Sequence, residues 1–215
     1  MKKNIFVIGL DDFHLAQLQE LKRSSEYRFH PFLSYEEVKR VERFPVLELL
    51  HYAEQLLVEF DDNVDAVIGF WDFPVSTVLP LIQRQFGLTG PSLISVLKCE
   101  HKYWSRLVQK EVISELIPPF EQINPFQDNV IPQCSLNYPF WLKPVKSVLS
   151  HLGFLIHDRN EFEKSLELIK ENIGRYAEPF NVILGKAQLP ESISQVDGYY
   201  CIAEGLISQG RQCTY

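Results

Sequence analysis

The sequence has few cysteines and no pair of them at the spacing of a metal site. Cys99, Cys134, Cys201 and Cys213 lie far apart, and none of them belongs to a CxxC motif. Zinc sites use closely spaced thiolate or imidazole ligands, so these residues predict none. A disulfide framework is not expected at this chain length either. The cysteines therefore favour a protein of the reducing cytoplasm.

Long apolar runs and blocks of basic residues are also missing. The first apolar run covers only residues 5–8, which is too short for a signal peptide, and no stretch could span a bilayer. The 21 basic and 28 acidic residues give a formal net charge of −7. The positive surface of a nucleic-acid-binding protein is therefore not expected. With 46% apolar and 23% charged residues, the 215-residue chain has the composition of a folded cytoplasmic protein without membrane or nucleic-acid partners.

Glycine is scarce where a dinucleotide-binding protein would need it. The first apolar run ends at Gly9, which is followed by Leu10, Asp11 and Asp12. A GxGxxG motif lets backbone amides approach a pyrophosphate, whereas carboxylates at this turn would repel one. We therefore interpret the turn as an ordinary strand-to-helix connection, capped by Asp11 or Asp12, and not as an NAD site.

Strands and helices alternate over residues 1–90. Apolar runs predict strands at residues 5–8, 27–33 and 66–70. Apolar residues at helical spacing predict helices at residues 15–21, 46–60 and 75–86. Pro45 and Pro74 fit the starts of the last two helices, whereas Pro80 should kink or shorten the last one. This alternation predicts a Rossmann-like parallel α/β sheet.

The second half of the chain has a different pattern. Ser92 is expected to cap a single helix that runs to about residue 113, before the proline-containing stretch 117–119. Four apolar segments then predict strands, at residues 139–145, 154–156, 181–184 and 199–203. One further helix is predicted where Asn160 and Glu163 have capping-box spacing. This half is therefore predicted to be an α+β unit that begins near residue 115.

Lys143 lies in an otherwise apolar predicted strand, residues 139–145. Alternation places it on the same face as Trp141 and Val145. An unpaired buried ammonium is costly, so the side chain must either reach water or meet a fixed anion. The residues leave two alternatives open, a solvated lysine on an edge strand and an anion-binding lysine.

Lys102 and Glu204 carry little information when each is taken alone. Lys102 lies on the predicted helix, and Glu204 follows the predicted strand 199–203. Each has an ordinary interpretation as a solvated charge. Their order along the chain is more informative. A helix with Lys102 is followed by a proline-containing stretch, a strand with Lys143, a loop with Ser150 and Gly153, and the strand before Glu204.

In this order the whole chain resembles the ATP-grasp superfamily, which includes carboxylate–amine ligases, biotin carboxylase and D-alanine–D-alanine ligase. The resemblance implies a Rossmann-like preATP-grasp domain at residues 1–93 and a linker helix at residues 94–114. It further implies an α+β lid subdomain at residues 115–203, with residues 204–215 as the start of a truncated final subdomain.

The resemblance also implies an ATP site. Lys102 and Lys143 take the places of the two lysines that meet the phosphates in this family. The loop after Lys143 should cover the phosphates, and Ser150 and Gly153 fit a common variant of it. Adenine should be held at the hinge, by Glu204 and the backbone through Ile207, with Leu206 or Ile202 as an apolar wall. The family's loop is usually rich in glycine, whereas this one has only Gly153.

The implied activity is that of a ligase that uses ATP and Mg²⁺. The family transfers the γ-phosphoryl group to a small-molecule carboxylate, and an amine or similar nucleophile then attacks the acylphosphate. Its metal ligands would lie beyond residue 215, so no metal ligand and no catalytic residue is assigned within this chain. We therefore expect an N-terminal fragment that is inactive alone. The alternative is a degenerate, non-catalytic module that binds a ligand or partner.

The sequence does not identify the substrate or the oligomeric state, and it is compatible with a homo-oligomer. Trp71 and Asp72 follow a predicted strand, at the end where open α/β sheets bind ligands. They fit a substrate pocket as well as a helix-start turn in which Asp72 caps the helix at Pro74.

Overall fold

The computed structural model describes residues 1–39, 44–190, 196–205, 207–208 and 211–212. Contacts within the chain divide it into two compact units, Met1–Val96 and Leu97–Tyr215. We call them the N-terminal unit and the C-terminal unit. The N-terminal unit has a parallel sheet and the C-terminal unit an antiparallel one, so the predicted mixed α/β fold class is confirmed.

The N-terminal unit has a three-stranded parallel sheet in the order β2-β1-β3. Its strands are β1 (Lys3–Ile8), β2 (Tyr27–Phe32) and β3 (Ala66–Gly69). Its helices are α1 (Asp12–Gln19), α2 (Tyr35–Lys39), α3 (Val46–Val58) and α4 (Val75–Gln85), and a 3₁₀ turn covers Ser24–Glu26. The three predicted strands and the three predicted helices are confirmed, while α2 was not predicted. Pro80 does not end α4, which continues to Gln85.

The C-terminal unit has a four-stranded antiparallel sheet in the order β4-β7-β5-β6. The strands are β4 (Phe120–Ile123), β5 (Phe140–Pro144), β6 (Phe154–Ile156) and β7 (Cys201–Glu204), followed by a short pair, β8 (Ile207–Ser208) and β9 (Arg211–Gln212). The helices are α5 (Leu93–Glu100), which crosses from one unit into the other, α6 (Lys102–Ile113), α7 (Val130–Gln133), α8 (Arg159–Asn172) and α9 (Gly174–Gly185), and a 3₁₀ turn covers Ser114–Leu116.

The prediction of one helix from Ser92 to about residue 113 is wrong, because the helix is broken at His101. His101 has φ −85° and ψ 102°, outside the helical region, and separates α5 from α6. Its ring Nδ1 accepts a hydrogen bond from the Trp104 amide at 3.2 Å. The imidazole therefore caps α6, a role usually filled by serine, threonine, aspartate or asparagine. Ser92 does cap α5, since its hydroxyl accepts a hydrogen bond from the Ser95 amide.

The predicted strand at residues 181–184 is also wrong, because this segment belongs to α9. Tyr176, Ala177, Phe180, Ile183 and Leu184 are buried at helical spacing. A short apolar run does not separate a strand from a buried helix by periodicity alone.

The start of α8 is capped two residues earlier than predicted. Asp158 caps the helix, because its carboxylate accepts a hydrogen bond from the Glu161 amide at 2.9 Å. The Glu161 carboxylate in turn accepts one from the His157 amide at 2.8 Å. Asn160 and Glu163 therefore do not form the box, although the helix that they predicted is present.

One face of the antiparallel sheet packs on α8 and α9 and forms the core of the C-terminal unit. Phe140 and Leu142 of β5 and Cys201 and Ala203 of β7 are buried there, together with residues of the helices such as Phe162, Leu166, Ile169 and Ala177. Because side chains alternate along a strand, Trp141, Lys143, Ile202 and Glu204 lie on the opposite face.

Candidate functional site

Lys143 and Glu204 meet on the face of the sheet that is turned away from the core. Strand β5 lies between β7 and β6, so Lys143 is not on an edge strand. Its Nζ lies 2.9 Å from Glu204 Oε2, and 5.6 Å from the centre of the Trp141 ring. The edge-strand part of the solvated-lysine alternative is therefore wrong, and the side chain, which is 29% exposed, meets a fixed carboxylate.

Glu204 is the buried centre of a small charged network. The residue is 5% exposed, so its carboxylate needs partners to offset the loss of water. Arg106 supplies the second one, with Nε 2.9 Å from Glu204 Oε1. The interpretation of Glu204 as a solvated strand-end charge is therefore wrong. Two cations face one anion here, which leaves a net positive charge.

Arg106 is the residue of this network that sequence reasoning missed. It lies in α6, one helical turn after Lys102 and on the same side of the helix. Its Nη1 donates to Gln109 Oε1 at 2.6 Å, and Gln109 Nε2 donates to Ser105 Oγ at 3.1 Å. The spacing of Lys102 and Arg106 is the only sequence signal that links them, and exposed helices show the same spacing.

Lys102 contacts the loop that follows β5. It is the first residue of α6, and its backbone amide donates to the Val145 carbonyl at 2.9 Å. Its Nζ donates to the Ser147 hydroxyl and to the Ser147 carbonyl, each at 3.1 Å. The lysine of the helix and the loop of the predicted phosphate cover are therefore in direct contact.

In the loop between β5 and β6, residues 145–153, three residues have a backbone conformation that is usually adopted by glycine. Leu149, Ser150 and Leu152 have φ values of 51°, 59° and 55°. Few non-glycine residues occupy this left-handed region. The Gly153 amide donates to the Ser150 carbonyl at 3.0 Å, and a Cβ added at Gly153 would lie 3.9 Å from Lys143 Cγ. The loop thus brings Ser150 and Gly153 close to Lys143 with few glycines.

Lys146 has a structural role. It is 3% exposed, forms an ion pair with Glu100 at the end of α5, and lies 5.9 Å from the centre of the Phe180 ring. This buried pair fixes the start of the loop against α5. Lys102 and Lys143, by contrast, are partly exposed, so a ligand can reach them.

The hinge after β7 is described only in part. The Gly205 amide donates to the Pro119 carbonyl at 2.8 Å, and Ile207 begins β8. Leu206 lies outside the described residues. Ile202, the other candidate for the apolar wall, is fully buried.

No group of three or more histidine, cysteine, aspartate or glutamate side chains is placed to hold a metal ion in the part of the chain that the structure describes. The same described ranges contain no helix that is long and apolar enough to cross a membrane.

In the N-terminal unit, the turn at Gly9 is capped as predicted. Asp11 Oδ1 accepts a hydrogen bond from the His14 amide at 2.8 Å, and Asp11 is the N-cap of α1. Trp71 Nε1 donates to the Gly9 carbonyl at 2.9 Å, so the indole lies on the turn. Asp72 does not cap α4 with its side chain. Its carboxylate accepts a hydrogen bond from the Phe73 amide instead, and Pro74 is the N-cap.

The fold is shared with solved structures of ligases. An L-amino acid ligase from Bacillus licheniformis matches with a TM-score of 0.67 and 17% identity over 96% of this chain and 47% of its own. A D-alanine–D-alanine ligase from Bacillus anthracis, complexed with ATP, matches with a TM-score of 0.59 and 15% identity over 97% of this chain and 58% of its own. The VanG D-Ala:D-Ser ligase from Enterococcus faecalis matches with a TM-score of 0.61 and 14% identity over 97% of this chain and 64% of its own.

At the level of sequence, no protein-family model and no curated protein matches the chain. The chain spans about half to two thirds of the length of these three ligases. At 14–17% identity the likeness is one of fold, and this chain shares the fold of these ligases.

Proposed function

We propose that this chain is the ATP-binding part of an ATP-grasp ligase that activates a carboxylate as an acylphosphate for attack by an amine. The observation that carries the proposal is that Lys143 pairs with Glu204, while Lys102, one helical turn before the second partner Arg106, contacts the loop at residues 145–153. These residues come from three separate elements of one unit. In this proposal residues 1–93 are the preATP-grasp domain, 94–114 the linker, 115–203 the lid and 204–215 the start of the final subdomain.

The two lysines are proposed to bind the phosphates of ATP. Glu204 carries one negative charge against the positive charges of Arg106 and Lys143, and Lys102 adds another positive charge. The site is therefore cationic within a chain of net charge −7. Local positive charge of this kind attracts polyphosphate and stabilises the negative charge of phosphoryl transfer.

Glu204 is proposed to recognise adenine. A carboxylate accepts hydrogen bonds only, so it suits the exocyclic amine of adenine and repels the carbonyl oxygen that guanine has at the same position. The backbone through Ile207, with Leu206, would complete the base site. ATP should therefore bind in preference to GTP.

The loop at residues 145–153 is proposed to close over the phosphates through Ser150 and Gly153. Its left-handed residues turn the backbone as glycine would, so amides can face an anion. A closed loop excludes water, which would otherwise hydrolyse an acylphosphate. The γ-phosphoryl group would pass from ATP to an oxygen of the substrate carboxylate, and the amine would then displace phosphate.

The described residues contain no group of three or more acidic, histidine or cysteine side chains that could hold Mg²⁺ by themselves. The second candidate function, a non-catalytic binding module, is favoured by the bulky Leu149, which is 98% exposed at the tip of the loop. Metal-binding carboxylates encoded in the full reading frame would favour the ligase over the non-catalytic binding module.

Calorimetric titration with Mg-ATP tests the proposal. We expect the chain to bind ATP in preference to GTP and NAD, and Lys143→Ala to lose at least about tenfold in affinity, as for loss of a charge-assisted contact. Lys164→Ala is the matched control, since Lys164 is an exposed lysine of α8. Equal ATP affinity in the wild-type chain and Lys143→Ala would contradict the proposal.

A further inference from the structure

An aromatic cluster lies at one end of the parallel sheet in the N-terminal unit. We define it as Phe13, His14, Tyr35, Phe70 and Trp71. The ring of His14 lies 4.4 Å from that of Phe70 and 5.2 Å from that of Phe13. The ring of Trp71 lies 5.0 Å from that of Phe70 and 4.7 Å from that of Tyr35. Five rings from three parts of the chain thus form one continuous group.

The aromatic cluster occupies the switch point of the sheet. Ile8, the last residue of β1, is in register with Phe32 of β2 on one side and with Gly69 of β3 on the other. The chain therefore continues from β1 to β2 on one side of β1 and later forms β3 on the other side of β1. Open parallel sheets bind ligands in the crevice outside the carboxyl ends of the strands at such a point.

Trp71 is held in place before any ligand arrives. Its indole Nε1 donates to the Gly9 carbonyl at 2.9 Å. Gly9 has a φ of +69°, and a Cβ at this position would lie 2.6 Å from Trp71 Cδ1. Only glycine both adopts this φ without strain and leaves room for the indole.

Two rings of the aromatic cluster are open to solvent. Phe13 is 66% exposed and Phe70 is 45% exposed, whereas Phe32 and Phe73 of the same unit are almost completely buried. Neighbouring exposed aromatic residues at the ligand-binding end of a sheet are a common feature of binding sites.

A carboxylate borders the aromatic cluster. Asp11 Oδ1 accepts a hydrogen bond from the His14 amide at 2.8 Å and contacts His14 Nδ1 at 2.6 Å. The amide hydrogen bond lowers the pKa of Asp11, so the side chain is a carboxylate at neutral pH. It is 40% exposed. Asp12 and Asp72 are exposed at the same end of the sheet.

We propose that the aromatic cluster and Asp11 bind a small organic cation, of the alkylammonium or guanidinium class. The faces of aromatic rings attract such cations, and a carboxylate adds charge complementarity. The assignment of this ligand as a substrate of the ligase, one that carries a cationic group, rests on the proposed function. The binding site itself does not.

Choline and its neutral isostere 3,3-dimethyl-1-butanol test the inference on the 215-residue chain. The two probes have almost the same shape and differ in charge, so titration calorimetry separates cation binding from apolar burial. We expect choline to bind about five- to tenfold more tightly. Phe70→Leu and Asp11→Asn should each remove most of this preference. Asparagine retains the helix cap, and Phe126→Leu, at a 51% exposed ring of the C-terminal unit, is the matched control.

Equal affinity for the two probes, or an unchanged preference in Phe70→Leu and Asp11→Asn, would overturn the inference. Far-ultraviolet circular dichroism of each variant verifies that it is folded. Mg-ATP titrations of the same samples keep the two proposals apart. A chain that binds ATP but does not distinguish the probes contradicts only the cation site, whereas one that prefers choline but does not bind ATP contradicts only the proposed function.

Discussion

Glu204 holds the candidate ATP site together at the scale of single residues. Its carboxylate is almost completely removed from water and is paired with Arg106 and Lys143. Removing one partner of such a group leaves charge that is only partly compensated. The network should therefore contribute to stability as well as to ligand binding.

Arg106→Met should lower the free energy of unfolding by about 1–3 kcal/mol, because Glu204 loses a hydrogen-bonded cation. The estimate is below that for a fully buried pair, since the Arg106 side chain is 29% exposed. Arg159→Met is the matched control. It breaks an ion pair with Glu163 whose side chains are 69% and 47% exposed, which should cost at most about 0.5 kcal/mol. Urea unfolding at pH 7 measures both, and equal losses would contradict a special role of Glu204.

Sequence reasoning found Lys143 and Glu204 but not their pairing. Alternation along the strands predicts the face of each side chain. Which side chain of one strand lies beside which of another depends on register, and the partner Arg106 comes from a helix 98 positions away in the chain. Neither is encoded in local periodicity.

Helix starts show what local chemistry does and does not predict at the scale of elements. The caps at Asp11 and Ser92 were predicted because these residue types compete well for free amides. The cap at His101 was not, because histidine takes this role only when tertiary packing holds its ring in place. His101 is fully buried, and burial lowers its pKa to about 4.

His101, at the break between α5 and α6, should therefore make the stability of the chain depend on pH. The pKa of His101 lies below the ordinary histidine value of about 6.5, so the unfolded chain binds more protons between these values. Stability should fall as pH falls through this window. His101→Asn keeps a residue suited to capping but removes the titration. Between pH 4.5 and 6 we expect the unfolding free energy of this variant to change less steeply with pH than that of the wild-type chain. The two slopes should differ by up to about 1.4 kcal/mol per pH unit.

Urea unfolding at several pH values measures this dependence. His157→Asn, at an exposed histidine before α8, is the control. The comparison concerns slopes, so it is independent of any general loss of stability in the variant. The same slope in His101→Asn and the wild-type chain would contradict the assignment.

At the scale of the whole molecule, the fold was predicted from the order of strands and helices along the chain. Identities of 14–17% to the solved ligases leave little common sequence, yet this chain matches them over 96–97% of its length. Strand and helix periodicities survive such divergence because each buried face must stay apolar. The misassigned strand at residues 181–184 did not disturb this order, since its neighbours were correct.

The loop at residues 145–153 marks the limit of that reasoning. Its sequence has only Gly153, which predicts a poor phosphate loop, but Leu149, Ser150 and Leu152 nevertheless adopt glycine-like φ values. Surrounding contacts such as those of Lys102 with Ser147 and of Lys146 with Glu100 hold this backbone. A local pattern cannot include them.

Labelling by an acyl-phosphate derivative of ATP, followed by peptide mass spectrometry, tests the central claim most directly. The ε-amine of a lysine beside the terminal phosphate attacks the acyl carbon and takes the acyl group, while ATP leaves. We expect acylation of Lys102 or Lys143 that excess Mg-ATP suppresses, with Lys164 modified only slowly and without such protection. Labelling of Lys102 and Lys143 that is no faster than that of Lys164, and that ATP does not suppress, would contradict an ATP site between α6, β5 and the loop at residues 145–153.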